Sequence, residues 1–159
     1  MSYQAVILTV SDSCAAGTRT DTSGPAIRGM LENAGFAVQA MQTVPDEEGQ
    51  ISAAIVHACD ILQADLVVTI GGTGLSPRDV TPEATLAVLD REIRAIPVAM
   101  WVEGLKSTPR AMLSRAVAGI RGHTLVLNVP GSEKAARENL GAVVATLDHA
   151  LRMLAGGGH

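Results

Sequence analysis

An apolar run that empties into glycines constrains this chain more than any other feature. Leu66-Val67-Val68-Thr69-Ile70 carries no charge and ends in Gly71-Gly72-Thr73-Gly74. A polar loop with Arg78 and Asp79 follows, and Thr81-Pro82-Glu83 then opens a helix. A short run that stays apolar at every position suits a strand covered on both faces. Small residues at its end let backbone N–H groups approach an anion, and the helix start adds its dipole. The same loop carries a cation and a carboxylate, which suits a phosphate ester handled together with a metal ion. Taken alone, the Gly-Gly-Thr-Gly turn is equally a structural turn.

The rest of the chain repeats this alternation. Ala5 to Val10 is a second continuous apolar run, Phe36 to Val44 alternates more, and Leu125 to Val129 is again apolar. Between them lie helical periodicities. Ile27, Met30, Leu31 and Ala34 share one face, with Ser23 or Asp21 as the cap and Gly35 as the stop. Ile51, Ala54, Ile55, Ala58, Cys59 and Leu62 form a stripe, as do Leu140, Val143, Val144, Leu147, Leu151 and Leu154. Pro82 at a first helical position predicts a helix running to about Glu92. Residues 93–122 carry a weaker pattern, read as a short helix over 97–105 and an irregular stretch over 106–116. Gly156-Gly157-Gly158-His159 reads as a frayed tail. Strands alternating with amphipathic helices predict an α/β fold, a three-layer αβα sandwich around a mostly parallel sheet. With no internal repeat and no linker, residues 1–159 read as a single domain.

Composition narrows the function. Of the 159 residues 47% are hydrophobic, yet the aromatics are only Tyr3, Phe36 and Trp101, so the core is aliphatic. A net charge of −4 leaves no basic footprint, and three scattered aromatics make no stacking platform, which argues against nucleic acid. No apolar run approaches the roughly 20 residues that span a bilayer. The chain begins without a basic-then-apolar leader, and Cys14 and Cys59 make neither a disulfide framework nor a metal spacing. These features place the protein in the cytoplasm, away from membranes.

In a parallel α/β sheet, ligands bind where strands end at their carboxyl side. Four polar loops fall there: Ser11–Asp21, Pro45–Glu48, Gly71–Thr81 and Pro130–Lys134. Gly71, Gly72, Thr73 and Gly74, and again Pro130, Gly131 and Ser132, are the anion-accommodating turns. Asp46 and Asp79 are the candidate metal carboxylates, because Mg²⁺ takes oxygen ligands and neutralises charge on a transferring phosphate. Spacing alone equally allows Asp46 to cap the helix after it, and Asp12 and Asp21 to stabilise turns. Cys14 lies near the site without a His partner in sequence, and His57 and His149 show no ligand spacing. Trp101 reads as packing.

The run Gly71-Gly72-Thr73-Gly74 with Pro77-Arg78-Asp79-Val80-Thr81-Pro82-Glu83-Ala84-Thr85 resembles the signature of the MogA/MoaB molybdenum-cofactor family, which includes the gephyrin G domain. Leu8-Thr9-Val10-Ser11-Asp12-Ser13, Asp21-Thr22-Ser23-Gly24-Pro25, Met112-Leu113-Ser114-Arg115, Gly119-Ile120-Arg121-Gly122 and Asn128-Val129-Pro130-Gly131-Ser132 fit in family order. The resemblance implies a molybdopterin-binding, three-layer α/β fold assembled as a homotrimer. It implies a molybdopterin adenylyltransferase that transfers AMP from Mg-ATP to the terminal phosphate of molybdopterin and releases pyrophosphate. The product then passes to a separate molybdate-insertion protein. The family's two critical aspartates match Asp46 and Asp79, expected to hold Mg²⁺. Ser11, Asp12 and Ser13 are expected in the nucleotide or pterin pocket, with Gly71 to Gly74 and Pro130 to Ser132 lining the same cleft.

Other readings differ in class. One is a catalytically silent MoaB-type member, and another is a carrier or scaffold that binds molybdopterin without transforming it. The insertion enzyme and nucleotide-hydrolysing proteins of the competence-damage type share this domain, normally in longer chains.

Overall fold

The structure, a computed structural model, describes residues 2–158. Its centre is a six-stranded sheet in the order β2-β1-β3-β6-β5-β4. The strands are β1 (Gln4–Val10), β2 (Ala37–Val44), β3 (Leu66–Ile70), β4 (Arg91–Glu92), β5 (Ala118–Arg121) and β6 (Thr124–Val129). Pairs β1/β2, β1/β3 and β3/β6 are parallel, whereas β5/β6 and β4/β5 are antiparallel. The mostly parallel sheet matches the expectation, with an antiparallel edge that the pattern did not reveal.

The helices are α1 (Asp12–Ala15), α2 (Ser23–Asn33), α3 (Glu48–Val56), α4 (Thr81–Leu86), α5 (Ala95–Leu105) and α6 (Glu133–Leu154). Successive side chains of a strand point to opposite faces, and both faces of this sheet are covered. Ile7, Val68 and Leu127 pack with Ile27 and Leu31 of α2, Met100 of α5 and Leu140 of α6. Leu8, Val67 and Val126 pack on the other side with Ile51 and Ile55 of α3 and Ala84 of α4. This is why β1, β3 and β6 read as unbroken apolar runs. Among the described residues no helix is long and apolar enough to cross a membrane.

Several local expectations change. The helix predicted over 82–92 stops at Leu86, and Arg91 and Glu92 instead pair with Ile120 and Gly119 of β5. Residues 87–94 have no breaker that marks this stop, so a tertiary strand partner overrides a helical composition. The predicted 97–105 helix starts earlier, at Ala95, and the irregular stretch contains a 3₁₀ turn over Pro109–Leu113. The α3 stripe continues through Cys59 in a widened π turn, His57–Ile61. The tail is more ordered than expected: Gly156 adopts φ +88°, and the Gly156 and Gly157 N–H groups donate to Met153 and Arg152 carbonyls at 2.9 Å each. That is a Schellman cap, which a glycine at this position allows; His159 lies outside the described residues.

One polar network sits inside this core. Asn128, fully buried on β6, donates from Nδ2 to the Thr69 hydroxyl (2.8 Å) and the Thr85 hydroxyl (3.0 Å), and its Oδ1 accepts from Val117 N–H (3.1 Å). Thr85 donates in turn to the Thr81 carbonyl at 2.7 Å. Strand β3, helix α4 and the entry to β5 are thus tied to one amide. Leaving such groups buried without partners is costly. Asn128→Leu is expected to lower unfolding free energy by about 3 kcal/mol, read as a lower urea midpoint at unchanged slope.

Candidate active site at the strand ends

The three central strands end level. Thr9 pairs with Ile70 and Ile70 with Val129, so the loops after Val10, Ile70 and Val129 leave the sheet side by side. Because β1 lies between β2 and β3, the chain winds in opposite directions from it, which makes this edge the topological switch point where open α/β sheets bind ligands.

The glycines answer a steric demand at that edge. Gly71, at φ +102°, donates to the Val129 carbonyl at 3.0 Å, and a Cβ there would strike the Val10 carbonyl. Gly72, at φ +69°, lies between the Thr81 hydroxyl and the Asp46 carboxylate, where a Cβ would collide with the hydroxyl. The Thr81 hydroxyl is buried and has no hydrogen-bond partner among the described residues. An orphan hydroxyl and a carboxylate therefore converge on the bare backbone of Gly72.

Asp12 and Asp46 hold each other's backbone. The Asp12 N–H donates to Asp46 Oδ2 at 2.8 Å, and the Asp46 N–H donates to Asp12 Oδ1 at 2.9 Å. Arg78 reaches across from the glycine-rich loop, donating to both Asp12 oxygens (3.1 and 2.9 Å) and to Glu47 at 3.0 Å. Asp12 is thus engaged by Arg78, and this fork holds its carboxyl below the ordinary 3.8. Asp46 behaves in the opposite way: burial pushes its carboxyl above 3.8, and the nearby Asp12 and Asp79 charges add to the rise. Of the two sequence alternatives for Asp46, helix capping finds no hydrogen bond among the described residues: its carboxylate accepts from the Asp12 N–H, and the residue flanking α3 is Glu47.

Asp79 sits in the loop over Gly74, its Oδ2 accepting the Ser76 N–H at 3.0 Å. Ser11 caps α1 by accepting the Cys14 N–H at 3.2 Å and touches the Ser13 hydroxyl, also at 3.2 Å. Asp21 caps α2 by accepting the Gly24 N–H at 3.0 Å and receives the Thr9 hydroxyl at 2.8 Å. The alternative cap, Ser23, donates instead to the Gly131 carbonyl at 2.7 Å. Ser132 caps α6 by accepting the Ala135 N–H.

Two clefts open here. A polar one of about 330 Å³ includes Ser11, Cys14, Asp46, Gly71, Gly72 and Asp79 in its lining. A more apolar one of about 470 Å³ includes Thr73, Gly74, Met100, Trp101, Leu113 and Pro130. Gly72, Asp79, Gly131 and Ser132 line both. Of the residues expected at the site, Asp12 and Ser13 line neither and act in the strapping and capping contacts just described. The structure also places Arg19 and Asp21 on the polar cleft, and Trp101, Arg110, Glu138 and Asn139 on the apolar one. Trp101, read as packing, turns a wall toward this cleft, and its buried Nε1 has no partner among the described residues. No spacing signal in sequence marks Trp101, Glu138 and Asn139, because α5 and α6 meet only in the fold.

Asp46 and Asp79 on one cleft, with the orphan Thr81 hydroxyl beneath Gly72, form an oxygen-rich donor set that suits a hard divalent cation. Among the described residues no group of three or more His, Cys, Asp or Glu side chains forms a complete metal site. Mg²⁺ normally takes one or two carboxylates and completes its shell with water and substrate phosphates.

This architecture is that of a molybdenum-cofactor biosynthesis domain. The family described as "Probable molybdopterin binding domain" matches residues 6–149, and the chain belongs to that family. The crystal structure of the molybdopterin biosynthesis enzyme MoaB from Thermus thermophilus superposes with a TM-score of 0.92 at 49% identity, covering 97% of each chain. The chain is 37% identical to the molybdopterin adenylyltransferase of Helicobacter pylori (strain J99), covering 94% of this chain and 86% of that protein. It is 40% identical to the molybdenum cofactor synthesis protein cinnamon of Drosophila melanogaster over 93% of this chain, which spans only 25% of that longer protein.

The opposed shifts of the two aspartates can be measured directly. Carbon-13 titration of the side-chain carboxyls is expected to place the Asp46 midpoint above 3.8 and the Asp12 midpoint below it. Asp79→Asn removes one of the charges that raise Asp46 and is expected to move its midpoint down. The linkage signs follow. Asp12 stabilises the fold above its ordinary value, and this is lost as pH falls through its lowered one. The Asp46 contribution is present at low pH and lost as pH rises through its raised midpoint.

Proposed function

We propose that this chain is a molybdopterin adenylyltransferase, a cytoplasmic nucleotidyltransferase that moves AMP from Mg-ATP to the terminal phosphate of molybdopterin. The observation that carries the reading is the shared border of the two clefts at Gly72, Asp79, Gly131 and Ser132. Two phosphorylated substrates in adjoining clefts would bring their phosphates together at that border. Family membership and the activity for which the H. pylori relative is named support the same conclusion.

In this mechanism a phosphate oxygen of molybdopterin attacks the α-phosphorus of ATP. The bond from that phosphorus to the bridging oxygen of the β-phosphate breaks, and pyrophosphate leaves with the electron pair. No protein nucleophile takes part, so Cys14 has no covalent role. Mg²⁺, when bound, supplies charge neutralisation for the phosphoryl oxygens. Asp46 and Asp79 are the residues that would hold it. Backbone N–H groups of Gly72, Thr73 and Gly74 and of the Gly131-Ser132 turn cradle phosphate oxygens, whereas the Gly71 N–H, expected to join them, is already taken by the Val129 carbonyl; the capped N-terminus of α6 favours negative charge there. Burial raises the Asp46 carboxyl, so protonation competes with cation binding there and turnover is expected to fall on acidification.

The homotrimer implied by the family resemblance has a suitable surface in α5 and the turn after it, where Val98, Val102, Leu105, Met112 and Leu113 are exposed. The adenylated product would pass to a molybdate-insertion enzyme. A silent carrier is the reading this proposal must defeat.

Purified protein with molybdopterin, ATP and Mg²⁺ is expected to yield adenylated pterin and pyrophosphate. Asp79→Ala, at a partly exposed loop position, is expected to retain the fold and lose at least about 100-fold in rate. Bound pterin with no product from the wild type would establish the carrier instead.

A further inference from the structure

The segment Ser114-Arg115 is part of the family-like pattern, yet neither residue has a part in the chemistry above. Arg115 follows the 3₁₀ turn that walls the apolar cleft, and it reaches the Asp79 loop at several points. Its backbone N–H donates to the Thr73 carbonyl at 2.9 Å. Its Nε donates to the Gly74 carbonyl at 2.9 Å, and its Nη2 donates to the Asp79 carbonyl at 2.7 Å. Nη1 pairs with Glu83 in the first turn of α4. One side chain therefore grips the loop where it leaves the glycines, at the aspartate itself, and where it enters the helix.

Little else holds that loop from the inside. Leu75, Ser76, Pro77 and Arg78 are exposed. Within the loop, Asp79 N–H donates to the Ser76 carbonyl and Thr81 N–H to the Gly72 carbonyl, at 2.9 and 3.1 Å. The outer tie is Arg78, whose partners Asp12 and Glu47 are solvent-exposed pairs of modest worth. Arg115 is the inner tie, and it bonds to backbone, so it sets the height of the Asp79 main chain above Gly74. A guanidinium offers donors in a fixed planar fork, whereas a lysine ammonium is a single point that cannot reach Gly74, Asp79 and Glu83 together.

We propose that Arg115 is a positioning residue for Asp79, strapping the loop that carries this carboxylate to the wall of the apolar cleft. Its side chain is 35% exposed. Losing it opens no large cavity, and water can reach the freed carbonyls. The consequence falls on the geometry of Asp79 and not on the sheet. Because Arg115 continues directly from Leu113 and Ser114, which line the apolar cleft, the strap also joins the two clefts mechanically.

The test compares wild type, Arg115→Lys, Arg115→Ala and Glu83→Gln, by amide hydrogen exchange on the intact protein and by steady-state kinetics. In both Arg115 variants, exchange in peptides covering 74–80 is expected to rise at least about tenfold, with β1 and β3 unchanged and Tm within about 5 °C. Glu83→Gln keeps both carbonyl contacts and is expected to exchange like wild type. The kinetic arm rests on the adenylyltransferase reading: kcat of Arg115→Lys is expected to fall at least about tenfold, with KM for molybdopterin within about twofold. Wild-type exchange over 74–80 in both Arg115 variants would overturn the proposal. So would an increase spread evenly over the sheet, which would make Arg115 a general support of the fold. A loosened loop with unchanged kcat would also overturn it. A wild type that makes no adenylated product overturns the adenylyltransferase reading instead, and the exchange pattern then decides the role of Arg115 alone.

Discussion

Everything at the candidate site depends on three parallel strands, buried on both faces, that end in register. Thr9, Ile70 and Val129 lie across from one another, so the chain must turn away from the sheet three times within a few ångströms. Side chains cannot be accommodated where those turns meet, and Gly71 and Gly72 relieve the collisions with the Val10 carbonyl and the Thr81 hydroxyl. The crowding forbids a Cβ and sets bare backbone against the polar cleft, the kind of close approach that a phosphate uses. Aliphatic packing beneath makes the arrangement rigid, and the Asn128 network fixes β3, β6 and α4 relative to one another.

Electrostatics then divides four acidic residues into two kinds. Asp12 and Glu47 are neutralised by Arg78 at the outer rim. Asp46 lies deeper, pushed upward by burial and by its acidic neighbours, and Asp79 faces the same cleft. Carboxylates that repel one another across a shared space have their repulsion relieved by a cation. Two arginines on opposite sides of the glycine-rich loop, Arg78 outside and Arg115 inside, keep it in place without entering that space.

Strand cores and helix stripes were legible from residue pattern because burial on two faces leaves a strong periodic signal. That holds for Leu66–Ile70, for Ile51 through Cys59 and for α6. The resemblance carried by residues 8 to 134 agrees with the family match over residues 6–149. Less legible was the chain from Ala87 to Arg121. Strand β5 pairs with the neighbouring β6, but β4 exists only because Arg91 and Glu92 meet Ile120 and Gly119, a pairing without local cause. The capping of α2 likewise was open between Asp21 and Ser23 until the Gly131 carbonyl claimed the serine.

For the candidate site, the sequence by itself determined the chemistry on offer: glycine turns at strand ends, and aspartates in the loops beside them. These follow from local demands, since a covered strand must be apolar and a crowded turn must be glycine. Only the tertiary structure decided which groups work as partners. It brought Asp46 and Asp79 to one cleft, engaged Asp12 with Arg78, turned Trp101 toward a second cleft and laid Arg115 under the loop. Such assignments depend on distances between residues far apart in the chain, and those distances exist only once the sheet has assembled.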